Sequence, residues 1–206
     1  MREPMVVSAP TKRERTRQSI VSAAYGLVVS QGYAATSMRQ IADRAGLAVG
    51  GIYNHFPSKA EVFLAILHDR HPFFQIVPIL QTVPGNTIEE FVRNAARTLV
   101  RELGHYPEFL NLMLTEIVEF NAQHVPLLFG RMLPMLLPIS ERLGQLAGRV
   151  RPVPAPILLR AFLGLFFSYY ITEALAGKAF PAAMSSGALD HFVEIFLHGV
   201  LLQERA

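Results

Sequence analysis

The chain contains no cysteine and no tryptophan. That excludes disulfides, cysteine-ligated zinc sites and a thiol nucleophile, and it suits a reducing cytoplasm, the compartment expected here. Charge is also scarce: 17% of the 206 residues are Asp, Glu, Lys or Arg, against 51% hydrophobic. Such a surplus of apolar surface calls for a subunit interface or a ligand cavity to bury it. Signatures of catalysis are missing as well. The sequence has no GxGxxG, Walker loop, GxSxG or HExxH, so neither enzymatic activity nor a cofactor is expected. The N-terminal fifteen residues lack the apolar stretch of a signal peptide. The best candidate for a membrane span, residues 161–172, is bounded by Arg160 and Glu173. It falls short of the roughly 18–20 residues a crossing requires, so a buried interface helix is expected and no membrane partner.

The charge that is present is unevenly placed. Residues 1–59 carry eight Lys/Arg and three Asp/Glu, a net +5, whereas residues 60–206 carry eleven and thirteen, a net −2. A basic head on a mildly acidic body suits a polyanionic partner for the head. Apolar residues recur with a period near 3.6 throughout, without a convincing alternating segment, which predicts an all-α fold of about nine helices. Four sequence pairs fit capping boxes: Thr11/Glu14, Ser37/Gln40, Ser58/Glu61 and Thr87/Glu90. Helices are predicted over 11–31, 37–45, 49–55, 58–69, 87–103, 108–123, 127–147, 156–176 and 189–204. Pro134 and Pro138 are expected to kink or split the seventh. The expected organisation is a disordered tail over 1–10, a head over 11–59 and a sensing and dimerisation body over 60–206.

Two short helices joined by a tight glycine-containing turn form the helix-turn-helix pattern, whose second helix enters the DNA major groove. Ile41, Ala42 and Ala45 are predicted to pack against Leu47 and Ile52, with Phe56 closing the unit. The third helix then presents Val49, Gly50, Gly51, Tyr53, Asn54 and His55, residues that no core demands. Asn54 suits bidentate pairing with adenine, and Val49 suits a thymine methyl. Arg39, Tyr53, His55 and Lys59 suit phosphates or the fixing of register, and Lys59 lies in a helix first turn that favours an anion. The Gly50-Gly51 pair has two readings: a bare backbone for close approach to DNA, or a loop or frayed turn.

The stretch from Thr36 to Phe63, with Ile41-Ala42, Ala45-Gly46, Gly50, Tyr53, His55-Phe56 and Ser58-Lys59 in register, resembles the DNA-binding signature of the TetR family of repressors. The resemblance implies phosphate contacts from Tyr53, His55 and Lys59, and base contacts from residues 48–50 and 54. It adds Ser37 to the interface and implies a dimer whose body binds an effector. Where the family commonly has Ser or Thr, this chain has Ala48, which removes a cap and a hydroxyl from the start of the recognition helix.

In the body, the eighth predicted helix is apolar around nearly its whole circumference, and Phe192, Val193, Phe196, Leu197 and Val200 stripe the ninth. The resemblance implies that these two helices pair with their symmetry mates, through Phe162, Leu165, Tyr169, Phe192, Phe196 and Val200. Operator palindromy would follow from the two-fold axis. Phe63, Leu67, Phe74, Phe91, Met113, Ile117, Phe120, Phe166 and Tyr170 are candidate walls of a cavity for a small apolar effector. Glu116 falls within the apolar arc of the sixth helix. It either anchors a ligand, pairs with an arginine such as Arg97 or Arg101, or lies simply at a boundary position. By the resemblance, effector binding shifts the fourth helix and lowers affinity for a double-stranded operator. His68 and His71, with His105 or His124, are the candidates for a metal-responsive variant, although no metal is expected. A helical small-molecule or lipid-binding protein without DNA function is the reading from another class.

Overall fold

The computed structural model describes residues 9–146 and 151–200. Within them the chain is mostly α-helical, and no strand occurs. The first eight residues of the tail expected over 1–10, residue 147 and the end of the last helix beyond Val200 lie outside the described residues.

The helices are α1 (Lys12–Gln31), α2 (Met38–Arg44), α3 (Val49–Tyr53), α4 (Lys59–Arg70), α5 (Phe73–Gln81), α6 (Ile88–Gly104), α7 (Phe109–Phe120), α8 (Val125–Leu146), α9 (Ala155–Ala176), α10 (Ala182–Ser185) and α11 (Ala188–Val200). They form two compact units: residues up to His71 with Leu114–His124, and Pro72–Met113 with residues from Val125 onward.

Local chemistry sets the helix starts. Thr11 and Ser37 close full capping boxes with Glu14 and Gln40. Ser58 and Thr87 accept the backbone N–H of Glu61 and Glu90, so each caps its helix from one side. In the first unit, α1 packs on α4 and α2, and α2 on α3. Ile20, Val21, Ala24, Ile41, Ala42, Ile52, Phe56, Val62, Phe63 and Ile66 form its buried interior.

The second unit packs α6 against α5, α9 and α11, and α8 against α5 and α9. Its core includes Val92, Leu99, Phe109, Leu143, Phe166 and Val193. Two features differ from the sequence expectation. Helix α5 carries no polar cap signal, its cap being Pro72, and Pro78 lies inside it. Helix α8 is one continuous element across Pro134 and Pro138, so of the expected kink or split the split does not occur. Both prolines are exposed, and a proline ring on a solvent face leaves its freed carbonyl partner to water. The length argument against a membrane span also needs correction. Helix α9 has 22 residues, and the stretch Ala155–Ala179 is long and apolar enough to cross a bilayer by length and composition. Leu158, Leu159, Phe162, Phe166 and Tyr170 of α9 are nevertheless buried in the second unit's core, which accounts for their apolarity.

Candidate nucleic-acid interface

The turn between α2 and α3 is fixed by the backbone. Gly46 has φ +70°, the left-handed conformation that ends a helix at least cost to glycine. Its N–H donates to Asp43 O at 3.2 Å, and Leu47 N–H donates to Ala42 O at 2.9 Å. These two bonds are a Schellman closure, and they satisfy carbonyls at the end of α2. The chain then turns directly into α3.

Helix α3 is held from below by one side chain. Ile52 is fully buried, while Ala48, Val49, Gly50, Tyr53 and Asn54 are exposed and Gly51 and His55 half-buried. A Cβ built at Gly50 or Gly51 meets nothing within 4 Å. Packing inside the protein therefore gives no reason for either glycine, and both lie in a helix rather than in a loop. Ala48 occupies the N-cap with no side-chain bond. Of the other predicted contact residues, Arg39 is exposed, and the Ser37 hydroxyl caps α2 and donates to Gln40 Oε1 at 2.9 Å.

Lys59 is already engaged. Its Nζ donates to Tyr33 O at 2.8 Å and sits 4.1 Å from the centroid of the Tyr33 ring. Burial raises the Tyr33 phenol above its ordinary pKa, and the Glu119 carboxylate adds to the effect. Behind α3, Arg17 spans to α4: its guanidinium pairs with Asp69 at 3.2 Å and lies 5.1 Å from the Phe56 ring. Arg70 returns the tie, donating to Ser22 Oγ at 2.7 Å. Neither tie shows in the sequence, because the partners are 52 and 48 residues apart.

The candidate effector residues divide between the two units. Phe63, Leu67, Glu116, Ile117 and Phe120 belong to the first; Phe74, Phe91, Met113, Phe166 and Tyr170 belong to the second. Ile117 is 51% exposed, whereas Phe63, Leu67, Phe91, Phe166 and Tyr170 are buried. Phe74 packs under Arg131, whose guanidinium lies 4.6 Å from its ring. In the second unit a small cavity of about 10 Å³ is lined by Leu80, Phe91, Ala95, Ile139, Leu143, Leu159, Phe162 and Leu163. All eight are apolar. Arg142 holds the loop beside this cavity, donating to Val83 O and to Gly85 O, and lies 4.5 Å from the Phe91 ring.

Glu116 is 2% exposed and fully bonded. Its Oε1 accepts the backbone N–H of His124 at 2.7 Å, and its Oε2 lies 2.9 Å from His124 Nδ1. The arginine pairing expected for it is not formed: Arg97 pairs with Asp190 and Arg101 with Glu102. The four candidate metal histidines are dispersed. His68 faces Asp69, His105 faces Glu102 and His124 faces Glu116, while His71 is buried at the end of α4. Among the described residues no group of three potential metal ligands comes together.

Of the expected dimer residues, Phe162, Phe196 and Val200 are buried in the core of their own protomer, and Leu165, Tyr169 and Phe192 are half-buried. The exposed line along α9 is instead Ile157, Ala161, Gly164, Ser168, Thr172 and Leu175, joined on α11 by Ile195.

A helix-turn-helix whose second helix is anchored by one buried side chain and otherwise open, followed by a helical body, defines the architecture of a DNA-binding regulator. Residues 20–66 match the family model for bacterial regulatory proteins of the tetR family. Over 187 residues the chain is 22% identical to the HTH-type transcriptional regulator YvkB of Bacillus subtilis, covering 90% of this chain and 97% of that one. TtgR of Pseudomonas putida is 26% identical over 173 residues, 77% of this chain and 81% of that one. Six further curated regulators match at 38–44% identity over 59–69 residues, and the chain spans 26–52% of their length. Among solved structures, NalD of Pseudomonas aeruginosa, the secondary repressor of the MexAB-OprM multidrug efflux pump, superposes with a TM-score of 0.62 at 20% identity, covering 93% of this chain and 98% of that one. A complex of SmeT with triclosan gives the same TM-score and identity, with coverages of 92% and 93%. The head thus carries the sequence pattern of the tetR family over residues 20–66, and the whole chain shares the fold of solved TetR-family regulators.

Proposed function

We propose that the protein is a homodimeric repressor that binds a palindromic operator through α3 and is released by a small apolar effector held in the body. The observation that carries this reading is the open outer face of α3. Gly50 and Gly51 cost a helix about 1 kcal/mol each against alanine, and no contact within the protein requires them. A bare helix surface beside exposed Val49, Tyr53 and Asn54 suits close approach to base edges, with Val49 toward a thymine methyl and Asn54 toward adenine. Arg39, Tyr53, His55 and Lys59 surround that face and suit the backbone phosphates.

Repression is the role of NalD, and SmeT takes triclosan; both bear on this chain through likeness of fold. The apolar lining of the cavity between α5, α6, α8 and α9 suits an uncharged effector. At about 10 Å³ the cavity is far below the roughly 300–1,000 Å³ of small-molecule sites, so an effector must open it. The ligand would act by favouring a state that binds DNA less well, with a coupling of ~1–3 kcal/mol typical of such linkage. A regulator of this kind works in the cytoplasm, where the operator is.

The test is selection of bound fragments from a genomic library at two salt concentrations. Recovery of one short palindrome with half-sites about one helical turn apart is the expected result. Weak, salt-sensitive binding to all fragments alike would overturn operator recognition.

A further inference from the structure

The Lys59 ammonium stands at one end of a continuous run of contacts within the first unit. The Tyr33 ring beneath it meets Phe63 edge-on at 5.3 Å and Phe120 at 5.0 Å. Phe63 and Phe120 are stacked, 4.9 Å apart and 7° from parallel. Phe63 belongs to α4, as Lys59 does, but Phe120 comes from the end of α7. The Phe120 ring lies 5.1 Å from the His124 ring, and His124 is held by the buried Glu116 carboxylate through its backbone N–H and its Nδ1. The turn that brings His124 back to Glu116 passes through Asn121 and Ala122, with φ of +50° and +58°. Two successive non-glycine residues in the left-handed region are unfavourable, and the two hydrogen bonds of His124 to the Glu116 carboxylate, with Ala122 N–H donating to Glu116 O, hold them there.

We propose that Phe120, fixed by the Glu116–His124 clamp, is a positioning residue for DNA binding: through Tyr33 it holds the Lys59 ammonium ready to meet a backbone phosphate. A lysine has three N–H donors. One goes to Tyr33 O, and the ring beneath fixes the direction of the ammonium. A lysine side chain carries much rotamer freedom, which a phosphate contact normally removes on binding. Here the ordering is done before DNA arrives. The inference rests on Lys59 contacting phosphate, and the experiment separates the two claims.

Phosphate contacts do not depend on sequence, so the probe is a labelled mixed-sequence DNA duplex of about 30 base pairs, titrated with the full chain across a salt series. Five proteins are compared: wild type, Lys59→Ala, Phe120→Leu, Phe120→Tyr and the Lys59→Ala/Phe120→Leu double variant. Lys59→Ala is expected to weaken binding about tenfold and to lower the salt slope by about one. Phe120→Leu is expected to weaken binding about three- to tenfold with a lower slope, and Phe120→Tyr to restore it. The double variant is expected to bind no more weakly than Lys59→Ala alone, since both remove one contact. Losses that multiply in the double variant, or an unchanged slope in Phe120→Leu, overturn the positioning role while leaving the Lys59 contact standing. No effect of Lys59→Ala removes the phosphate contact and the proposal together. Should Phe120→Leu lose helix content, the ring-current shift of the Lys59 side-chain protons in free wild-type protein decides: shifted, ordered resonances support the proposal, and random-coil values overturn it.

Discussion

His71 closes α4 as its C-cap and is 8% exposed. Burial disfavours the charged imidazolium and lowers its pKa from 6.5 to about 4. In the unfolded chain the same group takes a proton near 6.5, so between these values the unfolded state binds more protons than the folded one. Its contribution is therefore present above pH 6.5 and is lost as pH falls toward 4. Between pH 6.5 and 5 this amounts to about 1.5 kcal/mol. Urea unfolding of wild type and His71→Asn at both pH values tests it, and the variant is expected to lose less stability on acidification. The residue scale is also where the sequence was least legible. Glu116 stands out in an apolar arc, but its partner is a histidine eight residues on, across a turn. Asn121 is of a type that tolerates the left-handed backbone closing that turn, but nothing about Ala122 advertises it.

Among elements, the starts of α1, α2, α4 and α6 were readable because a hydroxyl cap and the carboxylate or amide at N3 lie three residues apart in the sequence. Helix α5 was not readable, because Pro72 caps it without a side chain and Pro78 contradicts a helical reading. The recognition helix is the instructive case. Its boundaries follow from Gly46 before it and Pro57 after it, but it starts at Ala48 with an uncapped N-terminus. Ala48→Ser supplies a side-chain oxygen for the first-turn N–H of Gly50, Gly51 N–H already donating to Ala48 O, and is expected to raise stability by about 1 kcal/mol. A higher denaturant midpoint at unchanged slope is the sign of that gain. An unchanged midpoint would mean that the start of α3 does not limit stability.

On the scale of the whole molecule, the apolar surplus in the composition finds an outlet on α9. Ile157 and Leu175 are 51% and 70% exposed, and Ile195 on α11 is 63% exposed. Between them run Ala161, Gly164 and Ser168, small residues that let a second helix approach closely. The sequence showed that α9 is apolar all round but not which side faces its own core, since a uniform circumference has no preferred direction. A Cβ at Gly164 meets nothing within 4 Å, so Gly164→Arg leaves the protomer's packing intact and blocks only what docks from outside. Sedimentation velocity is expected to show a dimer for wild type and a monomer for Gly164→Arg, with folded-state circular dichroism retained. A dimer that survives the substitution places the interface elsewhere.

The recruitment of Leu114–His124 into the first unit bears on modularity. A head cut out at His71 would leave behind Phe120, whose ring covers Phe63 and Tyr33. The excised fragment would carry a greasy scar beside its own DNA-contacting lysine. Chimeras that graft this head onto a foreign body therefore need a donor for that ring, either a transplanted hairpin or an aromatic already present in the recipient.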